Sequence, residues 1–287
     1  MLTRVALGLM WLLHFLPVAV LAPLGRALGL AFHALGRERR AVVAANLAAC
    51  FPGLSEAARR ELSRAHFQAL GRSLLDRALL WWGRPARIRR LAALDGIEHI
   101  PAGRPVILLV PHFVGLDVAF TRLALERDLA GIYGAQKNAA FDRFLLGRRM
   151  RFGRQLAFSR QQGMRRAVRA IREGIPFFYL PDMDYGPRDA LFVPFFGVEA
   201  ATVTGLSRLA RMTGAKVLPV IVRMLPGARG YSVSIRAAWS GFPGASLLED
   251  TRRMNAFIEG EVRAMPEQYY WVHKRFKTRP PGAPALY

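Results

Sequence analysis

The 287-residue sequence has one cysteine and few acidic residues. A single cysteine, Cys50, rules out an intrachain disulfide and a metal site built from several cysteines. Asp and Glu number 20 against 42 Lys and Arg, which gives a formal net charge of +22. An excess of this size favours a polyanionic partner: nucleic acid, an anionic membrane or an acidic protein. The apolar share of 52% argues against disorder.

Charge is absent from one long stretch near the N-terminus. Between Arg4 and Arg26 lie 21 uncharged, mostly apolar residues, about the length of helix that crosses ~30 Å of hydrocarbon. We therefore predict an N-terminal membrane anchor or interfacial helix over residues 1–36. A single domain is predicted over residues 37–287, because no interdomain linker is visible.

Other interpretations of this segment stay open. It is also compatible with a buried helix, or with a cleaved signal peptide whose cleavage pattern is poor because Pro23 follows Ala22. His14 and Pro17 interrupt the apolar run, which leaves room for an interfacial or re-entrant helix. Arginines are more frequent after the segment than before it, and this bias predicts that the bulk of the protein faces the cytoplasm.

The rest of the chain has the pattern of an α/β protein. Helical patterns cover residues 37–50 and 55–82, with Ser55 as the N-cap of the second. After residue 105, short apolar runs alternate with helical stretches, which predicts helices packed on a largely parallel sheet. The predicted strands lie in runs 105–110, 130–133, 175–180, 216–222 and 231–235, and the intervening helices lie at 138–150, 162–173 and 203–213.

The stretch "PHFVGLD", residues 111–117, follows the first of these buried strands. If the strand ends near Val110, His112 falls in a turn and Asp117 in the first turn of the next helix. The carboxylate can then fold back onto the imidazole and orient it as a general base. The alternative is a hydrogen-bonded turn histidine followed by a helix-start aspartate.

No protein nucleophile accompanies this histidine. The sequence has no G-x-S-x-G elbow, and Cys50 lies far away in an alanine-rich helical segment. A histidine base without such a nucleophile indicates that the substrate supplies its own, for example a hydroxyl group.

A second group of polar residues follows the strand run 175–180. Asp182 and Asp184 should lie at the same sheet edge as His112, where open α/β proteins place their sites. A D-x-D pair is also compatible with a divalent metal, or with a simple turn carrying Gly186 and Pro187. The following apolar stretch, residues 190–197, would suit the wall of an acyl-chain groove, or the core.

The third feature is a basic block. From Lys137 to Arg172 there are eleven basic residues and one acid, Asp142. Like charges at helical spacing repel, so this block should meet an anion. Nucleic acid is possible, with Phe141, Phe152 and Phe158 stacking on bases, but lipid headgroups are the nearer polyanion for a membrane-anchored protein.

These segments together carry a resemblance to a known family. The chain resembles the lauroyl/myristoyl acyltransferases of lipid A biosynthesis, within the lysophospholipid acyltransferase group. The likeness runs nearly end to end. It is carried by the N-terminal apolar segment, "NLAACFP" (46–52), "PHFVGLD" (111–117), "RMRFG" (149–153), residues 181–205 and "PEQYYWVHKRFKTRP" (266–280).

The resemblance implies a fold and a reaction. The fold is an αβ sandwich of the glycerolipid/lysophospholipid acyltransferase type. His112 would deprotonate a 3-hydroxyacyl hydroxyl of the Kdo-bearing lipid A precursor, and Asp117 would orient the imidazole. The hydroxyl would then attack a lauroyl- or myristoyl-class thioester on acyl carrier protein, at the cytoplasmic face of the inner membrane.

The resemblance also assigns further residues and partners. Arg149, Arg151 and Arg160 are candidates for anion or oxyanion binding, and Asp182, Asp184, Gly186 and Arg188 for the substrate loop. The expected partners are acyl carrier protein, the lipid A precursor and anionic inner-membrane lipids. No metal, nucleic acid or cofactor beyond the carrier's phosphopantetheine arm is expected.

Three rival functions remain. One is an O-acyltransferase that acts on a lysophospholipid or another lipid. The second is a non-catalytic basic protein that binds lipid or nucleic acid, and the third is a metal-dependent glycosyltransferase that uses Asp182 and Asp184.

Overall fold

The computed structural model describes residues 2–159 and 163–287, which form one mixed α/β structure. Its helices are α1 Leu2–Leu13, α2 Val18–Leu35, α3 Arg37–Cys50, α4 Glu56–Trp82, α5 Pro85–Leu91, α6 Leu116–Ala124, α7 Ala139–Arg149, α8 Gly163–Arg172, α9 Gly205–Thr213 and α10 Leu247–Ala264. Its strands are β1 Ala92–Asp95, β2 Val106–Leu109, β3 Ala130–Tyr133, β4 Leu156–Ser159, β5 Phe177–Tyr179, β6 Ala190–Phe195, β7 Val198–Val203, β8 Lys216–Met224 and β9 Tyr231–Ile235.

The central sheet has the order β1-β9-β8-β2-β5-β3-β4 in the part of the chain that the structure describes. Its neighbouring strands are parallel, except β8 and β9, which are antiparallel. β2 is buried along its whole length, as expected for a parallel strand covered on both faces. The predicted α/β class with a largely parallel sheet is confirmed.

Most predicted elements are confirmed, but several strands were not predicted as separate elements. β2, β3, β5, β8 and β9 lie in the predicted runs, and α7, α8 and α9 coincide with the predicted helices. Ser55 caps α4, since its hydroxyl accepts a hydrogen bond from the backbone N–H of Ala58 at 3.2 Å. The short edge strands β1 and β4 were not predicted. Residues 190–203, of which 190–197 were predicted as a groove wall or core, form the antiparallel β6–β7 hairpin.

The N-terminal apolar segment is divided into two helices. α1 ends at Leu13 and α2 begins at Val18, because Pro17 lacks a backbone N–H and disfavours helical geometry in the residue before it. The guanidinium of Arg87, in α5, donates hydrogen bonds to the free carbonyls of His14 and Leu16. The break is therefore stabilised by the rest of the protein.

α2 packs directly on the backbone of α4. A Cβ atom at Gly71 would lie 2.3 Å from the carbonyl oxygen of Gly25, and one at Gly29 would lie 2.0 Å from that of Phe67. Only glycine allows two helices to approach this closely. The predicted boundary after residue 36 thus separates segments that are in close contact.

α2 is long and apolar enough to cross a membrane by length and composition, with a mean hydropathy of 1.6. A core helix or a signal sequence meets the same criterion. Only 22% of α2 is buried inside the protein, and many residues of α1 are exposed. Large apolar side chains exposed on the two helices and the turn between them are Val5, Leu9, Trp11, Leu12, Phe15, Val20, Leu24, Leu30, Phe32 and Leu35.

Candidate active site

Two loops meet where the neighbouring strands β2 and β5 end. Leu109 and Tyr179 are paired across these parallel strands. His112 lies three residues beyond Leu109, and Asp182 lies three residues beyond Tyr179. Equal offsets from a registered pair place the two side chains together at the carboxyl edge of the sheet, where open α/β folds hold their sites.

Asp182 accepts two hydrogen bonds from His112. The Nδ1–Oδ1 distance is 2.6 Å, and the backbone N–H of His112 donates to Oδ2 at 2.9 Å. Asp182 is 1% exposed. Burial acts to raise the pKa of this carboxyl, but the charge and hydrogen bonds of His112 outweigh it and hold the pKa below its usual value. An ionised Asp182 keeps the proton on Nδ1 and leaves Nε2 as the basic nitrogen.

The predicted contact between Asp117 and His112 is wrong. Asp117 lies in the first turn of α6, as expected, but its carboxylate faces two arginines from other helices. Arg77 of α4 contacts Oδ2 at 2.7 Å, and Arg149 of α7 contacts Oδ1 at 3.0 Å. Burial acts to raise the pKa of Asp117, but the two positive charges lower it to about 2. Two guanidinium groups compete successfully for the carboxylate, while Asp182 occupies the Nδ1 side of the histidine.

The arginines predicted to bind anions differ in their contacts. Arg149 contacts Asp117 and, with it, lines a separate apolar cavity described below. Arg151 instead donates hydrogen bonds to the carbonyls of Leu80 and Gly83, at 2.9 and 3.1 Å, so it satisfies the C-terminal end of α4. Anion binding by Arg151 stays a prediction. Arg160 lies outside the described residues.

Asp182 and Asp184 have separate partners, although they are only two residues apart. Asp184 is buried, and its carboxylate accepts hydrogen bonds from the backbone N–H of Thr278 at 2.6 Å, from the Thr278 hydroxyl at 2.8 Å and from the Gly186 N–H at 2.9 Å. Gly186 adopts a positive φ of 93°, which favours glycine. Arg188 is exposed. Within the described ranges, no group of three His, Cys, Asp or Glu side chains is arranged to hold a metal ion.

The site also depends on a C-terminal segment whose role the sequence did not reveal. We call residues 266–278 the C-terminal clasp. Its Tyr270 N–H donates to the carbonyl of His112 at 2.9 Å, and the Val114 N–H donates to the carbonyl of Gln268 at 2.8 Å. In the same segment, His273 accepts a hydrogen bond from the backbone N–H of Asp184 through Nε2, at 2.9 Å. The clasp therefore contacts both loops that carry the His112–Asp182 pair.

Arg275 of the clasp is a buried cation close to this pair. It is 1% exposed and donates hydrogen bonds to the carbonyl of Ala201 at 3.0 Å and to the hydroxyl of Thr202 at 2.8 Å. Its positive charge contributes to the lowered pKa of Asp182. A narrow crevice here is lined by His112, Asp182, Met183, Tyr270, His273 and Arg275, among others.

A larger and more apolar cavity of about 90 Å³ borders Asp117 and Arg149. Apart from these two charged groups its walls are mostly apolar, with Leu116, Phe120, Ile132, Leu146, Met150, Ala157, Phe178 and Leu180 among them. Residues 190–197, predicted as a groove wall or core, do not line it. Phe195 is fully buried and packs on the rings of Tyr269 and Phe276 in the clasp.

The aromatic residues considered as base-stacking groups are packed in the protein. Phe158 is 8% exposed and lies in β4. Phe141 contacts Trp81 and Phe144, and Trp82 contacts His14 at the break between α1 and α2. Trp81 is therefore part of the core, while Trp82 packs against the break between α1 and α2.

Comparison with known proteins identifies the class to which this site belongs. The protein is an acyltransferase, because relatives that match it along nearly its whole length are named as lipid A biosynthesis acyltransferases. The family model "Bacterial lipid A biosynthesis acyltransferase" matches residues 1–278. The chain belongs to that family, and the resemblance stated from its motifs is confirmed.

Three relatives illustrate the match. The chain is 33% identical to the lipid A biosynthesis lauroyltransferase of Escherichia coli K12 over 291 residues, which cover 100% of this chain and 94% of the relative. It is 31% identical to the palmitoleoyltransferase of the same organism, with the same coverage. It is 32% identical to the myristoyltransferase over 268 residues, 92% of this chain and 81% of the relative.

A solved structure, the 1-acyl-sn-glycerophosphate acyltransferase PlsC from Thermotoga maritima, aligns with 80% of this chain and 97% of its own. The identity is 15% and the TM-score is 0.39.

Proposed function

We propose that the protein transfers a fatty acyl group from a thioester on acyl carrier protein to a 3-hydroxyacyl hydroxyl of the Kdo-bearing lipid A precursor, at the cytoplasmic face of the inner membrane. The observation that carries the proposal is the His112–Asp182 pair, in a family whose members act in lipid A biosynthesis. Asp182 holds the proton on Nδ1 of His112, so Nε2 is free to accept a proton from a hydroxyl.

The reaction balances without a protein nucleophile. His112 Nε2 takes the hydroxyl proton as the oxygen attacks the thioester carbonyl carbon. The tetrahedral intermediate collapses, the C–S bond breaks, and the proton on Nε2 passes to the departing thiolate. The products are an ester and the free phosphopantetheine thiol.

We assign to Arg149 the role of stabilising the negative charge that develops on the thioester oxygen. Its guanidinium contacts Asp117 at 3.0 Å, and the side chain is 33% exposed beside the apolar cavity. A cation fixed where an oxyanion forms lowers the barrier of acyl transfer. Asp117 shares its charge between Arg77 and Arg149, so this three-residue group keeps a net positive charge.

The cavity bordered by Asp117 and Arg149 is the proposed seat of the acyl chain. Its apolar walls suit an alkyl chain, and the charged pair at its border suits the carbonyl end. With the acyl chain seated there, the thioester would lie beside the proposed oxyanion-binding arginine. It also replaces residues 190–197 as the acyl-binding surface.

Exposed cations of the basic block provide a surface for an acidic carrier protein or for anionic lipid. Members of the block that are exposed are Lys137, Arg143, Arg154, Arg165, Arg166, Arg169 and Arg172. Arg169 is paired with Glu173 at 2.8 Å. Complementary charge of this kind chiefly raises the rate of association and sets the orientation of the partner.

The N-terminal helices support an inner-membrane location. α1 and α2 expose a large apolar surface, yet α2 is also packed on α4. Large exposed apolar patches mark interaction or membrane surfaces. We expect this pair of helices to enter the membrane and hold the site near the lipid substrate.

The function is tested by acyl transfer with the detergent-solubilised full chain in the presence of EDTA. Donors are thioesters of about ten to sixteen carbons, each carried on acyl carrier protein or on coenzyme A, and the acceptor is Kdo-bearing lipid A precursor. The proposal predicts ester formation, faster from the carrier-protein donor, that His112→Ala abolishes. Transfer only to a lysophospholipid acceptor would identify a different O-acyltransferase, and binding without turnover would contradict the enzymatic proposal.

A further inference from the structure

Two motifs of the sequence have no part in the proposed chemical step. They are residues 46–52 and residues 266–280, which lie more than 200 positions apart. The structure brings them together at Asn46 of α3 and the C-terminal clasp. Their contacts lead from α3 to the loop that holds Asp182.

Asn46 fixes the backbone of the clasp. It is 0% exposed, and its side-chain amide donates hydrogen bonds to the carbonyls of Trp271 at 2.7 Å and His273 at 2.8 Å. Its carbonyl oxygen in turn accepts a hydrogen bond from the Tyr287 hydroxyl. An asparagine with both ends of its amide engaged can hold a loop in one position.

His273 carries this constraint onward to Asp184. Its Nε2 accepts the Asp184 N–H, so Nε2 bears no proton and the proton of the neutral ring is on Nδ1. The Asp184 carboxylate also contacts the clasp, because it accepts hydrogen bonds from the N–H and the hydroxyl of Thr278. Asp184 is thus held by the clasp at both its backbone and its side chain.

The ring must stay neutral to accept this hydrogen bond. Burial lowers the pKa of His273 to about 4, helped by the nearby charges of His112 and Arg275 and opposed by those of Asp184 and Asp182. Its neutral form therefore prevails near neutral pH. Without Nε2 of His273 as acceptor, the N–H of the buried Asp184 would lack a hydrogen bond. Because an unpaired buried N–H is unfavourable, we expect the loop to move.

We propose that His273 is a positioning residue for the proposed base: Asn46 fixes its backbone, its Nε2 fixes the Asp184 amide, and the loop so held keeps Asp182 against His112. This inference rests on the proposed role of His112. The chain of contacts is Asn46 to His273, His273 to Asp184, and, two residues earlier in the same loop, Asp182 to His112. Displacement of a catalytic group by about 1 Å can cost ~10²-fold in rate.

Replacements of His273 differ in whether they can accept the hydrogen bond from the Asp184 N–H. In His273→Gln the side-chain oxygen comes close to the position of Nε2 and can accept the Asp184 N–H. In His273→Asn the oxygen comes close to the position of Nδ1 and cannot. His273→Leu removes the acceptor and keeps an apolar group of related size.

A matched control is His99→Leu. His99 likewise uses a ring nitrogen for a contact with the backbone, since its Nδ1 meets the carbonyl of Ile235 at 2.8 Å. It follows β1 and contacts the end of β9, and β9 runs antiparallel to β8. His99 therefore lies at the end of the strands opposite to the end that carries His112.

The experiment measures kcat and KM of the detergent-solubilised full chain for these variants, alone and combined with Asp182→Asn. We expect His273→Leu and His273→Asn to lower kcat by about 10-fold or more with little change in KM, as part of the ~10²–10⁴ that a positioned base contributes. His273→Gln should recover most of the rate. In the Asp182→Asn background the His273→Leu change should have less than about a 2-fold effect, since coupled residues are not additive.

Several outcomes would overturn the inference. A loss as large in the Asp182→Asn background as in the wild type would show that His273 does not act through Asp182. The inference would also be wrong if His273→Gln and His273→Asn had equal kcat, or if His99→Leu lowered kcat as much as His273→Leu. An inactive His112→Ala enzyme with a fully active His273→Leu enzyme would refute this inference alone, whereas an active His112→Ala enzyme would refute the proposed function.

Nitrogen NMR of labelled histidines gives a test that needs no turnover. The inference predicts that His273 is neutral from about pH 5.5 to about pH 8, with the proton on Nδ1 and with Nε2 as a hydrogen-bond acceptor. A protonated Nε2 at neutral pH would contradict it, whether or not the variants fold well.

Discussion

His112 and Asp182 are joined by two hydrogen bonds, from the imidazole Nδ1 at 2.6 Å and from the backbone N–H at 2.9 Å. The pair therefore fixes both the ring orientation and the turn that carries it. A carboxylate in this position sets the tautomer of a histidine base. Asp117, the acid within the 111–117 motif, instead holds Arg77 and Arg149.

The first prediction concerns Asp117 and its arginines. Asp117→Asn should lower the free energy of unfolding by about 1–3 kcal/mol, because it leaves two half-buried guanidinium groups without a counter-charge. In a double-mutant cycle, Asp117→Asn and Arg149→Gln should show a coupling energy of ~0.5–3 kcal/mol.

A double-mutant cycle that combines Asp117→Asn with Asp182→Asn provides the control. Asp182 pairs with His112 whereas Asp117 pairs with arginines, so the two changes should add within ~0.5 kcal/mol in unfolding measurements. Strong coupling between Asp117 and Asp182, with none between Asp117 and Arg149, would mean that Asp117 belongs to the histidine after all.

A second prediction is a loss of stability in mild acid. Burial lowers the pKa of His66 to about 4, and His273 has a similar value, whereas an unfolded histidine titrates near ~6.5. Between these values the unfolded chain binds more protons, so stability rises from about pH 4 to about 6.5 and then levels off. The effect should be on the order of 1–3 kcal/mol for the fully buried His66.

The variant His66→Asn isolates this effect. Asparagine can still donate to the carbonyl of Glu267, which His66 contacts through Nδ1 at 3.1 Å, but it does not titrate. Unfolding midpoints measured at about pH 5 and about pH 7.5 should differ less in this variant than in the wild type. An unchanged difference would show that His66 is not a source of the pH dependence.

A third prediction concerns chain length. Ala157 lines the apolar cavity, and Ala157→Phe should fill part of it. The preferred donor should become shorter by about two or more carbons, since each methylene that no longer fits is worth ~1–3 kcal/mol of discrimination. Competition between donors of different length measures the shift. The same substitution at Ala190, outside the cavity lining, is the control, and an unchanged preference in Ala157→Phe would place the acyl chain elsewhere.

A fourth prediction concerns the seat of the N-terminal helices. Gly71→Ala should disrupt the contact between α4 and α2, because the new Cβ would lie 2.3 Å from a backbone oxygen. We expect a loss of ~1–3 kcal/mol in unfolding, typical of overpacking. Gly260→Ala is the matched control, since a Cβ there meets nothing within 4 Å in α10 and should stabilise by up to ~1 kcal/mol. Equal behaviour of the two variants would contradict the packing account.

Much of the fold follows from local pattern. The apolar run at β2 and the helical spacing of α7 and α9 were sufficient to predict an α/β sheet and to place His112 at its edge. The short edge strands β1 and β4 were missed although β2 is no longer than they are, because their partly exposed sequences AALD and LAFS lack the continuous apolar run of the buried strand β2.

The site itself was harder to predict because its contacts join distant parts of the chain. The pairing of His112 with Asp182 depends on the register between Leu109 and Tyr179, which no local pattern specifies. Arg77, which contacts Asp117, lies 40 positions earlier in the chain, in α4. Proximity along the sequence favoured Asp117 as the partner of His112, and the competing arginines decided otherwise.

The orienting role of Asp182 is tested most directly by the rate of acyl transfer in Asp182→Asn, compared with Asp189→Asn. Asp189 is an exposed aspartate of the same region, paired with Arg208 at 3.2 Å. We predict that Asp182→Asn lowers kcat by about 10²–10⁴-fold, because the imidazole loses its tautomeric control, while Asp189→Asn stays near the wild-type rate. Near-wild-type turnover by a folded Asp182→Asn enzyme, together with inactivity of Asp117→Asn, would contradict the central claim and return the orienting role to Asp117.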